Sequence, residues 1–197
     1  HATRYNADMV VLMLDNNIYG LTKNQTSPTT PQGYTSMTSP KGAHLPALDP
    51  LQATLGVSNA SFVAQTADWV PAHLYATIQA AYDHPGFSFV RILQRCPKFT
   101  HDVFQKNVEN PDLTELLVHE KGVDVPGLAQ LFKASRVHNP KNIDDARALA
   151  QRTDKLRLGI FFRDDDMPTY EQLRAVPKVS AEEKVARLNK EFERYAV

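Results

Sequence analysis

The chain has 197 residues, 42% of them hydrophobic, and its 22 basic residues equal its 22 acidic residues in number. That length and apolar content are enough to bury a core, so the composition excludes a disordered chain. A formal net charge of zero provides no global field to attract nucleic acid or an anionic membrane. We therefore expect a globular protein that recognises its partners through local sites.

The cysteine content and the hydropathy pattern narrow the class of protein further. Cys96 is the single cysteine, so the chain has neither an internal disulfide framework nor a self-contained cysteine-rich metal site. A reducing cytoplasm fits this usage best. The longest apolar run, residues 9–14, is too short to span a bilayer, and no signal segment opens the chain. We expect a soluble protein.

The first residues predict the end of a helix that runs directly into a strand. The run from Met9 to Leu14 is continuously apolar and is bounded by Asp8 and Asp15, which is typical of a strand buried on both faces of a parallel sheet. Nothing precedes His1 to cap or pair these elements. We therefore expect that an N-terminal portion is missing.

A long polar segment follows this strand. From Asn16 to about Pro50 threonine, serine, proline and glycine dominate, and no apolar period is present. A stretch of this length without regular structure is uncommon in a compact domain and tends to be functional. In open α/β sheets such loops lie at the carboxyl ends of strands, where ligands bind.

The next residues predict a strand, helix, strand order. Residues 50–55 favour a short helix, 61–65 a short strand, 71–81 a helix that ends at 83–86, and 87–93 a buried strand. Such an order is a right-handed crossover unit. Residues 1–100 are therefore predicted to be half of a doubly wound α/β domain with a parallel sheet.

Residues 101–197 are more charged and are predicted to be a C-terminal α/β extension that contacts another subunit. Residues 143–151 favour a helix, 157–162 a strand and 164–166 an acidic surface turn. Ser180 and Glu183 form a capping-box pattern before a final helix. Its apolar stripe must pack on this domain or on a partner subunit, and we expect core packing; the stripe comprises Val185, Leu188, Phe192 and Tyr195.

The chemistry-bearing segment is residues 15–30, which read DNNIYGLTKNQTSPTT. An asparagine that leaves a buried strand can offer its side-chain oxygen to Mg²⁺, and a kinked backbone can add a main-chain oxygen. Gly20 would let the backbone approach a diphosphate closely. For an isolated Asn-Asn pair, a simple strand end followed by a turn is the better interpretation.

The whole string, however, closely resembles the thiamine-diphosphate motif of 2-oxoacid:ferredoxin oxidoreductase β subunits. That motif reads Asp-Asn-x-hydrophobic-Tyr-Gly-Leu-Thr-Lys/Gly-Gly-Gln-x-Ser-Pro-Thr, and this chain departs from it at Asn24, where the family usually has glycine. The resemblance is strong over the first half of the chain and rests on position alone in the second half.

The resemblance implies a role for each matched residue. Asn16 would bind magnesium through its side chain and Ile18 through its main-chain oxygen. Leu21 would support the bent cofactor under its thiazolium ring, and Thr22 would line the same pocket. Lys23 would face the substrate carboxylate, although a loop lysine without such a motif is ordinarily solvated.

Cys96 resembles the last of four thiolate ligands of a [4Fe-4S] cluster in this family, because it precedes a proline at a strand end. A buried inert thiol is the alternative. The other three cysteines and the Gly-Asp-Gly element, whose aspartate also binds magnesium, are not in this sequence. Both sites are therefore expected to be incomplete, and the chain is expected to be inactive alone.

The implied activity is the oxidative decarboxylation of a 2-oxoacid, with acyl transfer to coenzyme A and electron transfer to ferredoxin. An α subunit would complete the enzyme. We favour 2-oxoglutarate, and pyruvate, branched-chain and aromatic 2-oxoacids remain open. A non-redox thiamine-diphosphate lyase is the rival enzyme, since it needs no cluster ligand. An assembly module that docks through the Phe192 stripe is the rival of another class.

Other prominent residues are given structural interpretations. The single tryptophan, Trp69, is predicted to be a packing residue. The histidines show no ligand spacing and are predicted to lie at the surface or in loops; they include His44, His73, His84, His101, His119 and His138.

Overall fold

The computed structural model describes residues 1–174 and 179–194. It contains eight strands in these residues: β1 Met9–Asp15, β2 Ile18–Tyr19, β3 Gln25–Thr26, β4 Phe62–Ala67, β5 Phe87–Leu93, β6 Thr114–Val118, β7 Ala134–Val137 and β8 Leu156–Arg163. Six of them form one sheet in the order β1-β5-β4-β8-β6-β7, and β2 pairs with β3 separately. The fold is mixed α/β.

The helices of the described residues connect these strands. They are α1 Ala2–Tyr5, α2 Pro50–Leu55, α3 Pro71–Tyr82, α4 Gln105–Glu109, α5 Leu128–Leu131, α6 Ile143–Gln151, α7 Tyr170–Leu173 and α8 Ala181–Glu193, with a 3-10 turn at Pro111–Leu113. None of these helices is long and apolar enough to cross a membrane.

The predicted crossover unit is confirmed. β4 and β5 pair in parallel and are connected by α3, and β1 pairs in parallel with the other edge of β5. All six residues of β4 are buried, as expected for a central strand of a covered sheet. Pro71 begins α3, where its missing N–H would have no helical partner.

Two helical layers cover the sheet. α2 and α6 pack on one face against Phe87, Phe89 and Phe161. α3 packs on the other face against Phe62 and Val90. Each fully buried side chain of this size stabilises the fold by roughly 1.5–3 kcal/mol relative to an exposed one. Asp49 and Asn142 cap α2 and α6 by accepting backbone N–H groups of the first turns.

Residues beyond 100 extend the same sheet. β8 lies antiparallel to β4, with a register irregularity between Val63 and Ala64, and is parallel to β6. β7 is parallel to β6, so β8, β6 and β7 all run opposite to β1, β5 and β4. The strand pairs are therefore mostly parallel, with one antiparallel pair between β4 and β8, which the sequence did not predict. Strands from residues 1–100 and from residues 101–197 share this sheet. The division of the chain into these two segments therefore stays a prediction.

The prediction that β1 is buried on both faces is wrong. Met9, Leu12 and Leu14 are 44%, 39% and 62% exposed. The reason is position, because in the described part of the chain β1 has one strand neighbour, β5, and lies at the edge of the sheet. An apolar run reports the hydrophobicity of a strand and not its neighbours.

The expectation of core packing for the last helix is also wrong. Ser180 caps α8 by accepting the N–H of Glu183, as half of the predicted capping box. Yet Val185, Leu188 and Phe192 are all more than half exposed. No residue of α8 is buried, because the helix makes no close packing on the sheet within the described ranges. The fourth predicted stripe residue, Tyr195, lies outside the described residues.

The prediction that the histidines lie at the surface or in loops is wrong for His73, which lies on α3 and is only 2% exposed. His84 lies in the loop after α3, although it too is only 2% exposed. His73 faces the hydroxyl groups of Thr66 and Thr77 at 2.9 and 3.2 Å from its Nδ1 atom. Local hydroxyl partners allow a neutral imidazole to be buried. Trp69 packs against Phe104, with ring centroids 5.5 Å apart, as the sequence predicts.

His84 lies in a buried polar network. Its Nε2 atom is 3.0 Å from the Ser61 hydroxyl, and its Nδ1 atom is 3.0 Å from a carboxylate oxygen of Asp165. Ser61 is fully buried, so this arrangement is a structural link and not an accessible nucleophile. Asp165 also forms ion pairs with Lys121 and Arg163, which offset negative charge in the acidic turn.

Candidate functional site

The candidate site lies at the carboxyl ends of β1 and β5. The two strands run in parallel with Asp15 opposite Leu93, and the N–H of Gln94 donates to the Asp15 carbonyl at 2.9 Å. This register places residues 16–20, which follow β1, beside residues 94–97, which follow β5. The edge of the sheet therefore brings the two predicted site segments together.

Asp15 anchors the site. Its Oδ2 atom accepts two hydrogen bonds from Arg91, at 2.8 Å from Nε and 2.6 Å from Nη2. Its Oδ1 atom accepts the Thr29 hydroxyl at 2.6 Å and the Asn17 N–H at 3.1 Å. Four donors occupy this buried carboxylate. Asp15 therefore fixes the loop to the sheet and is not a free ligand.

Sequence reasoning treated Asp15 only as a strand end and did not consider Arg91. The available signal was an arginine inside the apolar strand Phe87–Leu93, since a buried cation requires a nearby anion. Thr29 and Thr100 gave no such signal, because threonine is common in polar loops.

Asn16 presents oxygen at the strand end. Among the described residues its Oδ1 atom accepts a single hydrogen bond, from the Ile18 N–H at 3.2 Å, and its carbonyl accepts the Thr100 hydroxyl at 3.1 Å. An amide oxygen has two lone pairs, so Oδ1 keeps the capacity for a second partner. Ile18 is buried and pairs with Thr26 in the short β2–β3 ladder. Side-chain and main-chain oxygens of this kind suit a hard cation such as Mg²⁺.

Gly20 is the point where the two segments meet. A Cβ atom at this position would lie 3.1 Å from the sulfur of Cys96 and 3.6 Å from the Asn16 amide nitrogen. The absence of a side chain thus allows Asn16, Gly20 and Cys96 to converge. The structure brings these three sequence-predicted residues together.

The environment of Cys96 favours a thiolate. Partial burial opposes ionisation, but the backbone N–H groups of residues 98–100 and the charge of Lys98 outweigh it, so the pKa of this thiol lies below its ordinary value. Cys96 is a free cysteine of intermediate exposure. A thiolate that is partly accessible and surrounded by N–H groups suits a metal ligand.

Leu21, Thr22 and Lys23 lie apart from this cluster, on an exposed turn. Leu21 is 99% exposed, and the N–H of Lys23 donates to the Gly20 carbonyl at 3.1 Å. The Thr22 hydroxyl donates to the Gln25 side chain at 2.7 Å. These three predicted residues therefore contact solvent and not Asn16 within the described chain.

The Asn24 departure from the family motif has a backbone explanation. Asn24 has a φ of 63°, in the left-handed region that glycine adopts without strain. Asparagine tolerates this region better than other non-glycine residues. The turn can therefore keep its shape despite the substitution.

Hydroxyl groups order the long polar segment. The Thr30 hydroxyl donates to the Asn17 carbonyl at 2.6 Å, and the Thr26 hydroxyl lies 2.8 Å from that of Ser36. The Tyr34 hydroxyl donates to the Phe99 carbonyl at 3.0 Å. Side chains thus replace regular secondary structure and tie this segment to both strand ends.

The candidate ligands fit part of a magnesium site and one of the ligand positions of an iron–sulfur cluster. In the described ranges no three His, Cys, Asp or Glu side chains group as metal ligands. Asn16 and Ile18 offer two hard oxygens, and Cys96 offers one thiolate. Further ligands for either group would have to come from beyond these three residues.

Comparison with known proteins defines the class first. Residues 1–92 match the family model described as "Thiamine pyrophosphate enzyme, C-terminal TPP binding domain". The first part of the chain is similar to domains of this class. Residues 129–178 match the family model for the C-terminal region of the pyruvate ferredoxin oxidoreductase β subunit. The chain is thus similar to the β subunits of 2-oxoacid:ferredoxin oxidoreductases.

Curated relatives agree with these models. The β subunit of a 2-oxoacid:ferredoxin oxidoreductase from Sulfolobus is 29% identical over 175 residues, which cover 87% of this chain and 53% of that protein. KorB, a subunit of the 2-oxoglutarate oxidoreductase of Mycobacterium tuberculosis, is 38% identical over 104 residues, which cover 53% of this chain and 28% of KorB.

A solved structure shares the fold. The 2-oxoglutarate:ferredoxin oxidoreductase of Magnetococcus marinus, with 2-oxoglutarate, coenzyme A and succinyl-CoA bound, matches 95% of this chain and 60% of its own chain. The TM-score is 0.72 at 28% identity. The chain spans from about a quarter to three fifths of the lengths of the three relatives described here.

Proposed function

We propose that this chain acts within the β subunit of a 2-oxoacid:ferredoxin oxidoreductase, which oxidatively decarboxylates a 2-oxoacid with coenzyme A and ferredoxin. The convergence of Asn16, Gly20 and Cys96 at neighbouring strand ends carries the proposal. The amide group of Asn16 and the sulfur of Cys96 both lie against Gly20. This arrangement suits a cofactor that passes electrons to a nearby cluster.

Each residue of the chain has a proposed task. Asn16 and Ile18 would hold Mg²⁺ through oxygen atoms, with Gly20 leaving room for a diphosphate. Thiamine diphosphate, when bound, would supply the carbanion chemistry, which belongs to the cofactor and not to the protein. Cys96 would bind one iron of a [4Fe-4S] cluster, and its backbone N–H neighbours would stabilise the sulfur charge.

The exposed turn is proposed to complete the substrate pocket. Leu21 would lie under the thiazolium ring, Thr22 would line the pocket, and Lys23 would attract the substrate carboxylate. The full exposure of Leu21 supports a pocket wall that needs a second surface. We propose that an α subunit provides this surface and that the chain is inactive without it and without further magnesium and cluster ligands.

2-Oxoglutarate is the proposed substrate. Relatives that carry this name and the Magnetococcus marinus enzyme support the choice. Pyruvate and other 2-oxoacids are the alternatives, since one matched family model is named for pyruvate and other relatives are named only for 2-oxoacids. The reducing cytoplasm is the proposed location, because iron–sulfur ligation requires a reduced thiol.

The test separates the two sites in the complex purified with its partner chains. Cys96→Ser is expected to lower iron content and ferredoxin reduction while thiamine diphosphate stays bound. Asn16→Ala is expected to raise the Kd for magnesium and thiamine diphosphate at least tenfold, because a direct ligand is lost. Asn189→Ala, an exposed change on α8, is the control and is expected to change neither.

Lys23→Ala tests the substrate contact in the same complex. We expect a KM for 2-oxoglutarate at least fivefold higher and a lower kcat, because a cation that faces the substrate carboxylate is lost. Lys184→Ala removes an equal charge from α8 and is the control. Unchanged kinetics in Lys23→Ala, together with unchanged cofactor binding in Asn16→Ala, would contradict the site assignment.

The exposed stripe of α8 favours a second role in assembly. Val185, Leu188 and Phe192 form an apolar face that no described residue covers. Truncation before Ser180 that abolishes assembly with the partner chains would support an assembly role for α8.

A non-redox lyase is the alternative enzyme. Purified complexes that bind thiamine diphosphate but contain no iron would favour it.

A further inference from the structure

A cavity of about 370 Å³ lies next to the candidate site, between α2, α6 and the carboxyl end of the central strands. Leu51, Leu149 and Phe161 form an apolar part of its wall, and all three are buried. This volume is within the range of roughly 300–1,000 Å³ that is typical of small-molecule sites. The cavity can accommodate the apolar body of a small organic molecule.

The polar part of the wall is cationic. Five basic side chains line the cavity, against two acidic ones, Asp49 and Asp154; the basic residues are Arg91, Lys106, Arg152, Lys155 and Arg157. Asp49 is used to cap α2, and Asp154 pairs with Arg152 and Arg157.

Two lysines in this wall have no ion-pair partner among the described residues. Arg91 pairs with Asp15, and Arg157 with Glu115 and Asp154. Neither Lys106 nor Lys155 is among the residues that form ion pairs within residues 1–174 and 179–194. The local potential is therefore positive where the cavity meets solvent.

We propose that this cavity binds a small phosphate monoester, with its organic body on the apolar wall and its phosphate between Lys106 and Lys155. A doubly charged phosphate suits two lysines better than a singly charged carboxylate does, because each ammonium acts as a point charge toward it. This site is separate from the thiamine-diphosphate site and goes beyond the proposed function.

The wall also connects the cavity to the candidate site. Arg91 lines the cavity and donates to Asp15, which in turn holds Thr29 and the Asn17 backbone. Arg91 therefore links the wall of the cavity to the strand end that carries Asn16.

The proposal is tested by titration calorimetry on the full chain with phenyl phosphate. We expect saturable binding to one site, and a Kd at least tenfold higher in the double variant Lys106→Ala/Lys155→Ala. Lys106 is exposed and Lys155 half-buried, and neither has an ion pair to lose, so the variant is expected to fold. The matched control, Lys184→Ala/Lys190→Ala, removes the same charge from α8 and is expected to leave the Kd unchanged.

Two neutral or weaker probes complete the design. Benzyl alcohol is expected not to bind, and benzoate to bind at least tenfold more weakly than phenyl phosphate. Absence of saturable binding, equal weakening in both double variants, or benzoate binding as tightly as phenyl phosphate would each overturn the proposal. These results are independent of iron and thiamine diphosphate, so the proposed function can fail without this site failing.

Discussion

The pair of Asp15 and Arg91 shows how one buried contact organises the site. Both side chains are largely removed from water, with 3% and 14% of their surfaces exposed. Desolvation of two charges is costly, and the four hydrogen bonds of the carboxylate offset that cost. The pair fixes the start of the polar segment and thereby the position of Asn16.

Replacement of Arg91 by alanine is expected to lower the free energy of unfolding by about 3–5 kcal/mol, because Asp15 is left buried and unpaired. Urea denaturation of the full chain measures this change. Arg187→Ala breaks an exposed pair with Glu183 on α8 and is expected to cost less than about 1 kcal/mol. Equal losses in the two variants would show that the Asp15 pair is not special.

The buried His73 makes stability depend on pH. Burial lowers the pKa of His73 to about 4, from about 6.5 in the unfolded chain. Because the unfolded chain takes up the proton first, this histidine lowers stability as the pH falls below about 6.5, and its effect is complete near pH 4.

This single shift predicts a loss of about 2 kcal/mol in the free energy of unfolding between about pH 7.5 and pH 5. In the His73→Gln variant this loss between the two pH values is expected to disappear. The free energy of unfolding of the variant at pH 7.5 is also expected to be lower than that of the parent chain. Urea denaturation of both proteins at the two pH values tests it. An equal loss in the free energy of unfolding in both proteins would exclude His73 as a source of the pH dependence.

At this scale the sequence predicted the residues that belong to a contiguous motif. Asn16, Gly20 and Cys96 each had a predicted role, and the structure brings them together because strand ends of a parallel sheet meet at one edge. The contacts of Asp15 with Arg91 and of Asn16 with Thr100 join residues more than seventy positions apart. No local pattern encodes such partners, so the sequence alone could not predict them.

Individual elements were predicted well where the pattern is local. α2 and α6 lie at the predicted residues, and β5 does too, because caps, proline and apolar periodicity mark their ends. The environments of β1 and α8 were predicted wrongly. Burial depends on what packs against an element, which its own sequence does not state.

The exposed edge of β1 predicts self-association of the chain alone. An unpaired strand edge with exposed apolar side chains is a template for pairing with another copy. Sedimentation velocity is expected to show concentration-dependent association that Leu12→Lys/Leu14→Lys reduces. Leu173→Lys changes an equally exposed leucine on α7 and is expected to leave association unchanged. A monomeric parent chain would contradict this prediction.

Across the whole molecule, one sheet carries both halves of the sequence. β8 comes from the second half and lies beside β4, so the part that matches the thiamine-enzyme domain shares a sheet with the region that matches the pyruvate ferredoxin oxidoreductase family. Strand order of this kind depends on long-range pairing, which local periodicity does not determine. The sequence therefore predicted the α/β class but not the antiparallel pairing of β8 with β4.

At the ends of β1 and β5, a thiamine-diphosphate cofactor is proposed to lie beside an iron–sulfur ligand. The most direct measurement is the thiamine-diphosphate and iron content of the complex purified with its partner chains. We predict that both are present in stoichiometric amounts. Thiamine diphosphate without iron would contradict the oxidoreductase assignment, and the absence of both would contradict the cofactor site itself.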